Sequence, residues 1–168
     1  MAQFDIKQHI LHFKQKAGTS RGVYTERKVW YVTLSDEADA SHVGVGECAP
    51  LPKLSCDDLP DAEYMALLDK YVRKVASGEL TLENLRHDEG LRNLPSMLFV
   101  LESALWHYHR RSVSLSDTAF ARGERGICIN GLIWMGDYAT MQKRIEEKIA
   151  AGFRCLKLKI GAIHFDDE

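Results

Sequence analysis

The C-terminal stretch of this chain reads strand, helix, strand, and that order permits few folds. Ile127 to Ile133 is a short, mostly apolar run carrying Asn130 and Gly131. Gly136-Asp137 precedes a helical pattern with Tyr138, Met141, Ile145 and Ile149 on one side, and Gly152 suits its end. Phe153 to Gly161 then alternates. Cys155, Lys157 and Lys159 fall on one face, and Leu156, Leu158 and Ile160 on the other. An apolar strand, a crossover helix and a second strand make a βαβ unit, which is right-handed and belongs to a parallel sheet. Two parallel strands cannot complete such a sheet, because their outer edges need partners. The sequence therefore reads as the front part of a longer protein. Asp166-Asp167-Glu168 suit the first turn of a following helix.

The grammar upstream is different. Phe4 to Phe13 is extended and rich in aromatic and β-branched residues. Lys28 to Leu34 alternates, with Val29 and Tyr31 on one face and Trp30, Val32 and Leu34 on the other. His42 to Cys48 sets Val43 and Val45 opposite Gly44 and Gly46, and those glycines let another backbone come close. A Gly18–Gly22 loop and a Ser35–Ser41 loop join these strands, and such short connections favour an antiparallel meander. Helical patterns follow. Tyr64, Leu67, Leu68, Tyr71, Val72 and Val75 form one stripe, with Asp57 and Asp58 favouring its start and Pro60 in its first turn. Thr81 is placed to cap a short second helix. Pro95 opens a third that runs to about Arg110, and its all-apolar turn Met97–Leu101 predicts burial on several sides. The predicted organisation is an α+β domain over residues 1–111, a polar connector over 112–125, and the βαβ unit over 126–168.

Composition excludes some functions. The chain is 45% hydrophobic and 27% charged with a formal net charge of −2, which offers nothing to nucleic acid or an acidic membrane surface. No apolar run reaches the length of a membrane span, and the N-terminus lacks the regions of a signal peptide. The four cysteines form no Cys-x-x-Cys pair, and three sit among apolar residues. Buried free thiols in a reducing cytoplasm are expected.

Lys157 and Lys159 carry the chemistry. Two ammonium groups two strand residues apart lie about 6–7 Å from each other by backbone position. Each disfavours protonation of the other, and a lysine with a lowered pKa is a usable general base. Taken alone, the segment fits a solvent-facing or lysine-protected edge strand better than a catalytic one.

The surrounding segments change that balance. Gly44-Val45-Gly46-Glu47-Cys48-Ala49-Pro50-Leu51-Pro52, continued by Leu54-Ser55, resembles a signature of the enolase superfamily. Glu102-Ser103-Ala104-Leu105 resembles the helix before that superfamily's barrel. Ile129-Asn130-Gly131-Leu132-Ile133 and Gly152–Gly161 resemble the first and second barrel strands of its muconate-lactonizing subgroup, and within that of the o-succinylbenzoate synthase family of menaquinone biosynthesis. The resemblance covers the whole chain. It implies an α+β capping domain followed by the start of a TIM-like (β/α) barrel, and a lyase acting on a small carboxylate: dehydration of 2-succinyl-6-hydroxy-2,4-cyclohexadiene-1-carboxylate. By resemblance Lys159 is the base that takes the proton α to the carboxylate and then the acid that assists the leaving hydroxyl. Lys157 lowers the pKa of Lys159 and helps hold the carboxylate. The Gly18–Gly22 loop resembles the mobile capping loop, so that Ser20 and Arg21 meet the succinyl end, and Asn130 ends the first strand facing the substrate. Solvated and backbone-bonding roles stay open for these three. Glu47 is expected to pair within the capping domain. His107 and His109 face different directions and share no metal. The resemblance implies Mg²⁺, with acidic ligands on the third to fifth barrel strands and a second lysine on the sixth. None of those positions is in this sequence, so no metal ligand is assigned. A dipeptide epimerase, a muconate cycloisomerase, a non-catalytic fragment and a small binding module remain as alternatives.

Overall fold

In a computed structural model of the 168-residue chain, residues 2–19, 22–161, 164 and 166 are described. The chain divides into two compact units. One holds residues 1–12 and 26–116, the other residues 13–25 and 117–168.

In the first unit the long strands β1 (Ala2–Thr19) and β2 (Gly22–Asp36) begin a sheet that β3 (Val43–Cys48) completes, in the order β1-β2-β3. β2 and β3 pair antiparallel, from Trp30 opposite Cys48 to Ser35 opposite Val43. Trp30, Val32 and Leu34 are buried together, as alternation requires. They meet helix α1 (Asp61–Ala76), which buries Tyr64, Leu68, Tyr71, Val72 and Val75. Trp30 stacks on Tyr64 with ring centroids 4.4 Å apart. A short 3-10 turn (Leu85–His87) and a four-residue helix α2 (Glu89–Arg92) lead to α3 (Pro95–Arg110).

α3 lies directly against β3. A Cβ on Gly44 would stand 2.2 Å from the Ala104 carbonyl oxygen. The expected backbone approach at the two glycines is therefore that of a helix. The β3 edge finds a partner in α3 as well, because the Val45 N–H donates to His107 Nδ1 at 3.0 Å. Glu47 faces Tyr31 across the ladder and bonds its phenol, which holds that phenol above its ordinary pKa.

Several expectations are corrected here. Asp57 does not start α1. It is buried and accepts from Ser96 N–H (2.7 Å) and Ser96 Oγ (2.5 Å), so it satisfies the first turn of α3 instead. Asp58 accepts from Lys53 N–H, and Pro60 stands at the cap position of α1 with no side-chain bond. Thr81 is not a helix cap: its own N–H donates to Asn84 Oδ1. Phe99 is 61% exposed, although the turn around it is apolar on every side, because α3 has only β3 and its neighbouring helices to pack against and Phe99 points away from them. Only Cys48 is buried. Cys56, Cys128 and Cys155 are exposed, since apolar neighbours in sequence did not become neighbours in a core.

The second unit pairs β4 (Gly131–Ile133) with β5 (Leu156–Leu158) in parallel, joined by α4 (Tyr138–Ala150). Asp137 caps α4 by accepting from Thr140 N–H at 2.8 Å, and Gly152 takes the left-handed conformation (φ +88°) that ends it. β4 is shorter than the apolar run that announced it. Ile127 and Ile129 are exposed, because β5 offers partners only to Gly131, Leu132 and Ile133. The α4 stripe is covered at Met141 but open at Tyr138 and Ile149. The distal hairpin, residues 13–25, belongs to this unit. Its strands continue to Thr19 and from Gly22, so Gly18, Thr19 and Gly22 of the expected Gly18–Gly22 loop belong to strands. Small and polar residues there blunt the alternation signal, while backbone pairing continues regardless of side chain.

Candidate active site

Parallel register decides which side chains share a face. Leu132 pairs with Lys157, and Gly131 with Leu156. The ladder is extended on both sides by Gly131 N–H donating to the Cys155 carbonyl and Lys159 N–H donating to the Ile133 carbonyl, both at 2.9 Å. Lys157 therefore stands beside Leu132, and Lys159 falls level with Trp134 at the C-terminal end of the pair. Lys157 is exposed and Lys159 half-buried. The opposite face carries Gly131, Ile133 and Leu156. Ile133 is fully buried, and a Cβ on Gly131 would meet Phe153 and Leu156 side chains at 3.0 Å. The lysine face is thus the one that carries Leu132 and Trp134, opposite Ile133 and Leu156.

The other expected site residues are placed less favourably. Asn130 precedes β4 by one residue and is exposed, so it stands at the start of the strand rather than its end. The C-terminal end is formed by Trp134 and Met135. Ser20 and Arg21 lie outside the described residues. Next to them, Thr19 Oγ1 donates to the Gly22 carbonyl at 3.0 Å.

Two residues near the lysines escaped the sequence reading. The Trp134 indole Nε1 is buried and has no acceptor among the described residues. Arg144, on α4, donates through Nη1 to the carbonyls of Trp134 (3.0 Å) and Met135 (3.1 Å). A lone arginine on the polar side of a helix carries no signal of such a role. Trp134 does carry one, as a large aromatic just past a strand end.

The described residues do not fit a magnesium ion. No three His, Cys, Asp or Glu side chains come together among them. His107 is committed to Val45, and no described residue brings His109 into a cluster with it. Among the described residues, no helix is long and apolar enough to cross a membrane.

No family model matches the sequence. The fold is nevertheless similar to that of solved enolase family members, whose N-terminal capping domain the three-stranded antiparallel sheet and its helices match. An enolase family member from Agrobacterium tumefaciens with homology to dipeptide epimerases, solved with sodium and L-Ala-L-Glu, superposes with a TM-score of 0.68 at 23% identity over 96% of this chain and 46% of its own. The dipeptide epimerase of Enterococcus faecalis, complexed with Mg and L-Leu-L-Tyr, gives 0.66 at 16% identity over 95% and 45%. The o-succinylbenzoate synthase of Thermosynechococcus elongatus, with Mg in the active site, gives 0.63 at 21% identity over 98% and 44%. In sequence, the chain is 37% identical over 195 aligned residues to the o-succinylbenzoate synthase of Desulfotalea psychrophila, across 99% of this chain and 51% of that protein. The chain thus spans about half the length of the curated relative it matches.

Proposed function

We propose that this chain is part of an o-succinylbenzoate synthase and supplies its first two catalytic lysines. One observation carries the reading: Lys157 and Lys159 share one face of a parallel strand pair, with Lys159 at the C-terminal end where sites in such barrels lie. The sequence likeness to the Desulfotalea enzyme supports the choice of substrate.

In this reading the Lys159 amine takes the proton from the carbon α to the ring carboxylate of 2-succinyl-6-hydroxy-2,4-cyclohexadiene-1-carboxylate. The electron pair of that C–H bond forms a ring double bond as the C–O bond to the hydroxyl breaks. The proton returns from the Lys159 ammonium to the departing oxygen. Water leaves, and the ring becomes aromatic. Lys157 faces the substrate carboxylate and helps hold it. Asn130, Ser20 and Arg21 are secondary candidates for substrate contacts. The reading includes a divalent magnesium ion held outside the described residues. It also includes a reducing, cytoplasmic setting, which suits three exposed free thiols, and a domain division near residues 112–125.

The test is turnover by the natural protein containing this chain. Production of the aromatic dicarboxylate is expected, and Lys159→Ala should slow it by about 10²–10⁴-fold with the fold intact, the usual worth of general acid–base catalysis. Near-normal turnover by that variant refutes the assignment. The neighbouring dipeptide epimerase, and the enolase family member with homology to such enzymes, favour a second reading, so L-Ala-L-Glu epimerisation belongs in the same assay. Residues 1–168 alone should turn over neither compound. Leu158 and Ile160 are open to solvent there, and no metal cluster forms among the described residues.

A further inference from the structure

The Arg144 guanidinium links three backbone or side-chain groups that sequence separates. Nη1 donates to the carbonyls of Trp134 and Met135, the first two residues after β4. Nη2 reaches Gln15 Oε1 on the distal part of β1 at 3.4 Å. All of these residues lie in the same compact unit. The groove beside them, about 450 Å³ in volume, is lined by Phe13 and Ala17 from the hairpin, by Leu132 of β4 and Trp134 just past it, and by Glu147 and Lys148 of α4.

The carbonyls just past the end of a strand pair have no ladder partner once pairing stops. Left to water, they impose no orientation on the peptide. A half-buried guanidinium gives both of them a charged donor in a rigid planar geometry. The peptide so held carries the Trp134 side chain, level with Lys159 in the ladder. The indole fills its position with a buried N–H that has no acceptor among the described residues. A buried donor without a partner has no hydrogen bond to fix it, so packing and the backbone must set its place. Arg144 supplies the backbone part. Asp137, whose carboxylate Arg144 also attracts, anchors the other end of the same loop by capping α4.

We propose that Arg144 is a positioning residue for the lysine site: it fixes the end of β4 beside Lys159 and ties the distal hairpin to that end through Gln15. The inference rests on the reading of Lys159 as the reacting group. It touches no substrate itself.

The test uses Arg144→Met and Arg144→Lys in the natural full-length protein, with Gln15→Met for the hairpin limb. Methionine keeps the apolar stem and loses the fork. Three measurements are made: amide exchange over residues 13–19 and 134–136, the rate at which an amine-acylating reagent labels Lys159 by peptide mass spectrometry, and turnover. Arg144→Met should speed exchange in both segments by about tenfold or more, the scale of one lost hydrogen bond to a charged group. It should also change the labelling rate of Lys159 and lower kcat more than it raises KM. Gln15→Met should speed exchange only in 13–19. Arg144→Lys, a point charge without the fork, should restore exchange only in part. Unchanged exchange in 134–136, or changed exchange with Lys159 labelling at the wild-type rate, overturns the proposal. Wild-type protein that fails to dehydrate the cyclohexadiene substrate sinks the functional reading instead, while exchange and labelling still decide the role of Arg144.

Discussion

Gly46 lies so close beneath Val100 that a Cβ on it would stand 2.1 Å from the Val100 carbonyl oxygen. That oxygen belongs to the backbone of α3 and cannot swing aside. Gly46→Ala should therefore force helix and sheet apart and cost about 3 kcal/mol, the upper range for overpacking a filled core. Gly18→Ala is the control. Its added methyl meets nothing within 4 Å, and the change should stay within about 0.5 kcal/mol. Urea titration of both variants checks the difference, and equal midpoints would contradict the packing described for α3.

Asp57 holds the first turn of α3 through both the amide and the hydroxyl of Ser96, and that hydroxyl also meets Tyr64 Oη at 2.7 Å. Asp57→Ala leaves two donors without their acceptor in a buried place. The expected loss is about 2–3 kcal/mol, a lost cap plus unsatisfied polar groups. Asp57→Asn keeps an acceptor and should lose less. A smaller loss in the alanine variant than in the asparagine variant would mean that the carboxylate does not cap this helix.

The thiols should separate cleanly. Burial pushes the Cys48 thiol up to about 11, and its Sγ lies 3.6 Å from the Trp30 carbonyl oxygen. A disulfide reagent at mildly alkaline pH should modify Cys56, Cys128 and Cys155 quickly and reach Cys48 only after unfolding. Rapid modification of Cys48 in the native protein would show that the sheet-to-α1 core is open.

Acid should loosen α4 at its start. The Asp137 carboxyl is held below its ordinary value, first by the Thr140 backbone N–H and then by the Thr140 side chain. A folded value below the unfolded one stabilises the capped helix above the unfolded carboxylate range, about pH 3.9. That contribution is lost as pH falls through the lowered value. The Cα chemical shifts of residues 138–141 should therefore move toward coil in strong acid, and Asp137→Asn, which keeps the acceptor without titrating, should flatten that response. The same acid response in both proteins would remove Asp137 as its cause.

What was legible in the sequence was whatever rests on local period and on contacts made by the elements themselves. The alternation of Trp30, Val32 and Leu34, the stripe of α1 and the paired glycines of β3 all appear in the core as read. The lysine face follows from period two alone, and the fold class from the order of elements. The failures come where a distant partner decides. Phe99 looked buried because its neighbours are apolar, but nothing in its own segment says which side α3 turns away from its neighbours. Asp57 looked like the cap of the next helix and became the cap of one further along the chain. The resemblance puts Asn130 at the end of its strand, whereas pairing with β5 starts the strand only at Gly131. Arg144 had no signal, since its partners are carbonyls, which every residue has.

The hairpin gives the second unit a discontinuous origin. Residues 13–25 are made early, and residues 117–168 only after α1, α2 and α3 have been made. During synthesis the hairpin tip must wait, unpaired with its final neighbours, while the first unit is assembled. Closing so long a loop is a late and slow event. The connector is therefore a poor place to cut the gene. A piece that begins at Asp117 keeps every residue of the two parallel strands and still lacks the strands that complete its unit.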